Sequence, residues 1–308
     1  MATVSVMVDF QMDIVGLGYC GLDYLSLVPY IPRDDKVEIL ESLVQGGGPA
    51  ATATCAAAQL GLQSAFMGTV GKDERGRSII AGLNSAGVFT DRMRIRERGE
   101  SPAAFCWTEA STGQRSIAWT RGEIAPLRPD EVDGELIRHA RVLHLDGHQA
   151  EAAIHAAEIA RANNVTVSID AGTLVPGIER LLELSDIVIA SEKFAERLTE
   201  DSNPERSVRK LFGGIRKFAA VTLGAAGCVG FDGTKFWNQA AFSVDVVDTT
   251  GAGDVFHGAF LYKYVKGGDW AECLRFASAV SAQKCTKFGG RTGIPTLAET
   301  KSFLRERS

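Results

Sequence analysis

From about residue 128 onward the chain alternates helix and strand patterns, and few architectures accept that rhythm. The periodicity predicts a helix near 130–139, a strand at 142–145, a helix at 150–163 and a strand at 165–170. It continues with a helix near 176–183, a strand at 187–190, helices at 192–199 and 204–217, and a strand at 219–223. Apolar strands separated by helices imply an α/β fold, a mostly parallel central sheet with helices on both faces. Ligands of such sheets sit beyond the carboxyl ends of the strands, where Asp170, Ser191, Thr222 and Gly224 fall. At 308 residues one large α/β domain or two smaller ones can form; no linker, repeat or low-complexity segment divides the chain, so one large domain is expected.

The chemistry concentrates in Val246-Val247-Asp248-Thr249-Thr250-Gly251-Ala252-Gly253-Asp254-Val255-Phe256-His257-Gly258-Ala259-Phe260. This run begins as a β-branched strand end, passes through small residues and becomes a helix. Gly251, Ala252 and Gly253 leave the first-turn N–H groups open to an anion, and the helix dipole adds to the attraction. Asp254 stands one turn in, an unfavourable place for a carboxylate unless it accepts a proton, as from a hydroxyl attacking a phosphate. On its own the run also fits an ordinary helix start with an acidic first turn.

Near the N-terminus, Gly16-Leu17-Gly18-Tyr19-Cys20-Gly21 fits the dinucleotide fingerprint G-x-G-x-x-G, and Glu41 follows about twenty residues on. That motif needs a helix to start at its glycines. Residues 22–32 instead carry Pro29 and Pro32 among alternating apolar positions and read as extended, which argues against a hydride-transferring dehydrogenase and frees Asp23 for another role. Next, Gly46-Gly47-Gly48-Pro49-Ala50-Ala51-Thr52-Ala53-Thr54-Cys55-Ala56-Ala57-Ala58-Gln59-Leu60-Gly61 is a glycine hinge, a Pro at a helix start and a small-residue helix closed by Gly. Bare glycines before a helix admit a ligand to the backbone. Residues 103–120 form a hairpin turning at Ser111-Thr112-Gly113. With strands around 19–28 and 36–44 it makes a small separate sheet, a lid that would exclude water.

The segment Asp248-Thr249-Thr250-Gly251-Ala252-Gly253-Asp254 resembles the C-terminal signature of the ribokinase/PfkB family of carbohydrate kinases. Residues 46–61 resemble the N-terminal glycine signature of the same family, with Thr52 where many relatives carry Asn. Gly71-Lys72-Asp73-Glu74-Arg75-Gly76 is also similar, and is no Walker A because Ser or Thr is missing after the Lys. The resemblance spans nearly the whole chain and implies a ribokinase-like fold: a large domain of residues 1–18, 46–100 and 122–308, and a β-sheet lid of 19–45 and 101–121. It implies transfer of the γ-phosphate of ATP to a sugar hydroxyl, with Asp254 as base and Gly251, Ala252 and Gly253 around the phosphate. Asp23, Gly47, Gly48, Thr52 and His148 would meet the sugar, and Lys36 an anionic group on it.

Val221-Thr222-Leu223-Gly224-Ala225-Ala226-Gly227 is similar to the family's V-T-x-G-x-x-G element, which places Thr222, Gly224 and Gly227 near the ATP phosphates. The helix and loop of 276–290, with Ser281 and Gly289, would border the adenine, and Ser191 would also face the nucleotide. The resemblance further implies a monovalent cation such as K+ at Asp248 and Thr250. Two ATP phosphates facing a carboxylate require Mg2+. The family's N-x-x-E element reads Ser191-Glu192-Lys193-Phe194 here, which leaves Glu192 as the Mg-linked substitute. The motifs look closest to the sulfofructose kinase branch, although His148 and Trp119 stand where that branch presents Arg and Asn. The expected substrate is a ketohexose, plain or anionic, phosphorylated on a primary hydroxyl, with ribose-like sugars or nucleosides behind it. A sensor without turnover is the alternative, and an intact Asp254 argues against it.

Net charge is −5 with no Lys/Arg run of five, so nucleic acid is not an expected partner. Arg92-Met93-Arg94-Ile95-Arg96-Glu97-Arg98 alternates as a solvent-facing strand would. The six cysteines form no C-x-x-C pair and read as reduced core thiols of a cytoplasmic protein. Residues 1–11 make a poor signal peptide, and no apolar run spans a bilayer, so no membrane partner is expected. His144-Leu145-Asp146-Gly147-His148 places no three ligands on one face and argues against zinc. His257 reads as a packing residue, and the lid, through the family resemblance, as a homodimer contact.

Overall fold

The structure is a computed structural model and describes residues 11–307. The signal-peptide expectation therefore lies, but for Gln11, outside the described residues. In chain order the first half comprises β1 (Met12–Leu17), β2 (Gly21–Val28), β3 (Glu41–Gly47), α1 (Pro49–Gln59), β4 (Ser64–Met67) and β5 (Thr69–Gly71). It continues with α2 (Glu74–Ser85), β6 (Val88–Phe89), β7 (Arg94–Arg96), β8 (Ala103–Glu109) and β9 (Arg115–Thr120). The second half comprises α3 (Gly134–Arg138), β10 (Ala140–Leu145), α4 (Ala150–Ala162), β11 (Thr166–Ala171), α5 (Ile178–Leu184), β12 (Ile187–Ser191), α6 (Glu192–Thr199), α7 (Pro204–Leu211) and β13 (Phe218–Thr222). It ends with β14 (Cys228–Phe231), β15 (Phe236–Gln239), α8 (Ala252–Val265), α9 (Trp270–Lys284) and α10 (Leu297–Arg305).

Nine strands form the central sheet in the order β15-β14-β13-β12-β11-β10-β1-β4-β6. Pairing is parallel from β6 to β13 and antiparallel across β14 and β15. Strand order reverses at β1, which opens a crevice at the carboxyl ends of β1 and β10. One face packs on an apolar layer with Ala153, Ala157, Leu181 and Val208, the other on a layer with Ala56, Val255, Phe260 and Val280. Small residues bring α1 and α8 close, since a Cβ on Gly258 would stand 2.2 Å from the Ala53 carbonyl oxygen.

The second sheet has the order β3-β2-β8-β9 and corresponds to the expected lid. Its register puts Asp23, Leu25, Cys106, Ile117 and Trp119 on one face. Leu25 and Cys106 bury against Phe288, so this face looks onto the large domain, while Tyr24 and Phe105 stack on the other, 5.1 Å between ring centroids.

Several local expectations shift. The strand expected at 36–44 starts only at Glu41 and runs through Gly47, because residues 29–40 form a loop in which Asp34 has φ 51°. The helix expected near 130–139 divides into a turn at Pro129–Glu131 and α3, restarted where the Asp133 carboxylate accepts from the Leu136 amide. The helix expected at 204–217 stops at Leu211, before Gly213 and Gly214, the latter at φ 59°. Arg96 turns away from solvent and pairs with Glu131 at 2.6 Å.

Candidate active site

Gly251 caps α8 in the left-handed region at φ 73°, and a Cβ there would stand 2.7 Å from the Gly290 carbonyl oxygen. Only glycine fits both conditions. The Ala252 amide donates back to Thr249 and the Val255 amide to Gly251, whereas the amides of Gly251, Gly253 and Asp254 have no partner among the described residues. Of the three amides expected to face an anion, that of Ala252 is thus already engaged, and the Asp254 amide joins the free set. A Cβ on Gly253 would meet nothing within 4 Å, so the approach to these donors is open.

Asp254 follows directly. Burial pushes its carboxyl up to about 6; the Asp170 carboxylate adds to the shift, and His257, Arg115 and Arg291 oppose it. Asp170, at the end of β11, lies 3.3 Å from the His257 ring. His257 was expected to serve packing alone. It is instead a buried polar partner, with His144 beyond it at 5.4 Å between ring centroids.

On the lid side, burial pushes Asp23 up to about 7, with Arg291 lowering it and Asp254 raising it. A Cβ on Gly47 would stand 2.1 Å from the Asp23 carboxylate, and one on Gly48, at φ 103°, 2.2 Å from the Tyr19 carbonyl oxygen. The glycine hinge therefore lets β3 pass against β2 and enter α1. Arg291 bonds the Thr52 hydroxyl at 3.0 Å and the Gly47 carbonyl at 3.1 Å. Asp146 accepts from the amides of Tyr19, Ala50 and His148, fixing the ends of three segments at one carboxylate. His148 packs near Tyr19 and Trp119, at 5.6 Å and 6.1 Å between centroids. Asp23, Gly47, Gly48, Thr52, His148 and Asp254 thus meet at one end of the sheet. Lys36 does not join them: it is exposed in the 29–40 loop, beyond the end of the β2–β3 ladder away from Asp23.

A cleft of about 630 Å3 adjoins Gly253 and is lined by Thr222, Gly224, Gly227, Phe242 and Ser281. Ser281 donates to the Ala252 carbonyl at 2.8 Å, tying α9 to the start of α8. Arg115 reaches from β9 to the Thr249 hydroxyl at 2.8 Å, so the lid touches the same loop. Ser191 and Gly289 do not line this cleft. The Ser191 hydroxyl caps α6 by accepting from the Phe194 amide, and the Gly289 amide donates to Asp248.

Glu192 is exposed at the first position of α6. Among the described residues no group of three or more His, Cys, Asp or Glu gathers to hold a metal ion. The site therefore suits a Mg2+ carried in by phosphate oxygens rather than one caged by protein. The loop of Asp248 and Thr250 does not fit a bound K+. Both Asp248 carboxylate oxygens accept backbone amides, from Thr250 and Gly289, and its carbonyl accepts from the buried Lys284 ammonium.

Sequence reasoning placed Asp170 at the ligand end of the sheet but missed its pairing with His257, and it missed Arg291, Arg115, Asp146 and Lys284 as parts of this site. Lys284 carried a signal, the one charge in the stretch 276–284 of its helix; Arg291 carried one in following two glycines.

An anion-binding helix start, a carboxylate with a raised pKa, and a lid across the carboxyl ends of a parallel sheet suit phosphoryl transfer. The chain matches the description pfkB family carbohydrate kinase over residues 13–297. It is 30% identical to a fructokinase of Solanum tuberosum, over 91% of this chain and 93% of that protein. It is 29% identical to an ATP-dependent ribose-1-phosphate kinase of Halopiger xanaduensis, over 96% and 99%. The Arabidopsis thaliana ribokinase solved with ribose and ATP superposes with a TM-score of 0.83 at 27% identity, covering 96% of this chain and 99% of that one. With a ribokinase-like fold and the geometry above, the chain belongs to the PfkB family of carbohydrate kinases, ATP-binding phosphotransferases that act on a sugar hydroxyl.

Proposed function

We propose that the protein phosphorylates a primary hydroxyl of a ketohexose, fructose being the first candidate, with Asp254 as the base. The observation that carries this is the adjacency of Asp254, raised to about 6, and the unpartnered amides of Gly251, Gly253 and Asp254 itself. Above that pH the carboxylate is free to accept the proton of a hydroxyl attacking the γ-phosphate. The amides then lie against the charge that spreads over the transferring phosphoryl group. Asp23 and the Gly47–Gly48 hinge orient the sugar, with Trp119 and His148 walling the pocket and Arg291 holding the hinge. Thr222, Gly224, Gly227 and Ser281 border the nucleotide. Mg2+ bound with ATP would neutralise phosphate charge, and Glu192 is the carboxylate we assign to its side of the nucleotide.

Curated relatives named fructokinase support a ketohexose. The distance of Lys36 from the Asp23 end of the lid favours a neutral sugar over a sulfonated one. The exposed Val44 and Phe105 on the outer lid face support a homodimer, and six free, buried thiols support a cytosolic setting. Sugar-dependent ADP release from Mg·ATP tests the assignment across fructose, sulfofructose, tagatose, psicose, ribose, fructose 6-phosphate and a nucleoside. The highest kcat/KM is expected with fructose; a preference for ribose or a nucleoside would overturn the ketohexose assignment.

A further inference from the structure

Lys284 ends α9 with a side chain that is 0% exposed. A lysine is almost never so deeply buried without a partner. Its Nζ donates to the Asp248 carbonyl oxygen at 2.8 Å. The same corner is tightly braced. The Val247 and Asp248 amides donate to the Cys285 carbonyl at 2.8 and 3.2 Å, the Asp248 carboxylate spans the Thr250 and Gly289 amides at 2.9 Å each, and the Thr250 hydroxyl is buried with no hydrogen-bond partner. Charged groups around the ammonium are Asp248 in its own corner, Asp254 on α8 and Arg115 on β9. Burial draws the ammonium below its ordinary pKa, and Asp248 acts in the opposite direction.

We propose that the Lys284 ammonium is a built-in cation standing where a free monovalent ion would otherwise bind, beneath the 248–251 loop, and that the enzyme is therefore independent of K+. An ammonium group and K+ carry the same charge, are of similar size, and are both satisfied by carbonyl oxygens. Tethered through α9, the charge needs no ion from solution. It holds the Asp248 carbonyl, and through the 248–251 loop the Gly251 turn that aims the free amides. No proton or bond is exchanged; the group is a positioning residue.

The activity arm of the test rests on the kinase assignment, and the stability arm does not. Thermal unfolding and sugar-dependent ADP release are measured in KCl, NH4Cl, NaCl and tetramethylammonium chloride at equal ionic strength. For the wild type, Tm and kcat/KM are expected to be alike in all four. Lys284→Ala leaves the Asp248 carbonyl without its cation, and its Tm is expected to be lower in tetramethylammonium and to recover by about 2–4 °C in KCl or NH4Cl. A wild type that needs K+ for turnover, or gains Tm from it selectively, would overturn the proposal. So would a folded Lys284→Ala protein indifferent to K+ and NH4+. Should that variant not fold, the wild-type salt series decides alone. Failure of the kinase assignment would show separately, as no ADP release with any sugar in any salt, and the Tm series would still judge Lys284.

Discussion

The Asp170 carboxylate lies 3.3 Å from Nε2 of His257, and His257 stands one helical turn beyond Asp254 on α8. Burial alone would raise Asp170, but contact with His257 outweighs it and holds the carboxyl below its ordinary value. A buried anion is thus maintained behind the base, and it raises Asp254. His144, drawn down to about 3 by burial and then by His257, stays neutral at any working pH.

Replacing Asp170 by Asn removes that negative charge and eases ionisation of Asp254. The acid limb of kcat/KM is therefore expected to move to lower pH in Asp170→Asn, since the ionised base persists further into acid. The pH–rate profile checks this; loss of activity with an unmoved limb would mean that Asp170 acts through packing alone.

The two glycines flanking Ala252 serve different ends. Gly251→Ala would place a Cβ 2.7 Å from the Gly290 carbonyl at φ 73°, and a stability loss of about 1–3 kcal/mol is expected by denaturant titration. In Gly253→Val the added Cβ faces open space, with no atom of another segment within 4 Å. The variant is expected to retain most of its stability yet lose about 10²-fold in kcat, because the side chain stands where the phosphoryl group must approach.

Arg291→Ala removes charged donors from the Thr52 hydroxyl and the Gly47 carbonyl. An increase of about tenfold or more in the sugar KM is expected, with the ATP KM near wild type. Steady-state kinetics with each substrate varied in turn make the comparison.

Asp254 also bears on stability. Its folded-state pKa of about 6 exceeds that of an unfolded aspartate, so ionisation disfavours the fold; the penalty is absent below about pH 4 and complete above about pH 6. Asp254→Asn should therefore be more stable than wild type at pH 8, by about 1–3 kcal/mol, and equal to it near pH 4. Urea unfolding at the two pH values reads the difference.

The parts of the site legible in sequence are those written in backbone chemistry. Gly251 and Gly253 before a helix, Gly47-Gly48-Pro49 before another, and the turn at Ser111-Thr112-Gly113 announce where the chain bends and where a ligand can approach. What escaped depends on contacts between distant segments. Arg291 meets Thr52 across 239 residues, and Asp170 meets His257 only because β11 and α8 converge. Element ends were also less legible: residues 36–39 alternate like a strand, yet lie beyond the β2–β3 ladder, which pairs from Leu27 and Glu41 onward.

The most direct test of the account compares sugar-dependent ADP release from Mg·ATP in wild type and Asp254→Asn, with ATP binding measured in both. Wild-type turnover on a ketohexose, reduced by at least about 10²–10⁴-fold in the variant with ATP binding retained, is the predicted result. Equal turnover in the two proteins would contradict the assignment of Asp254 as the base.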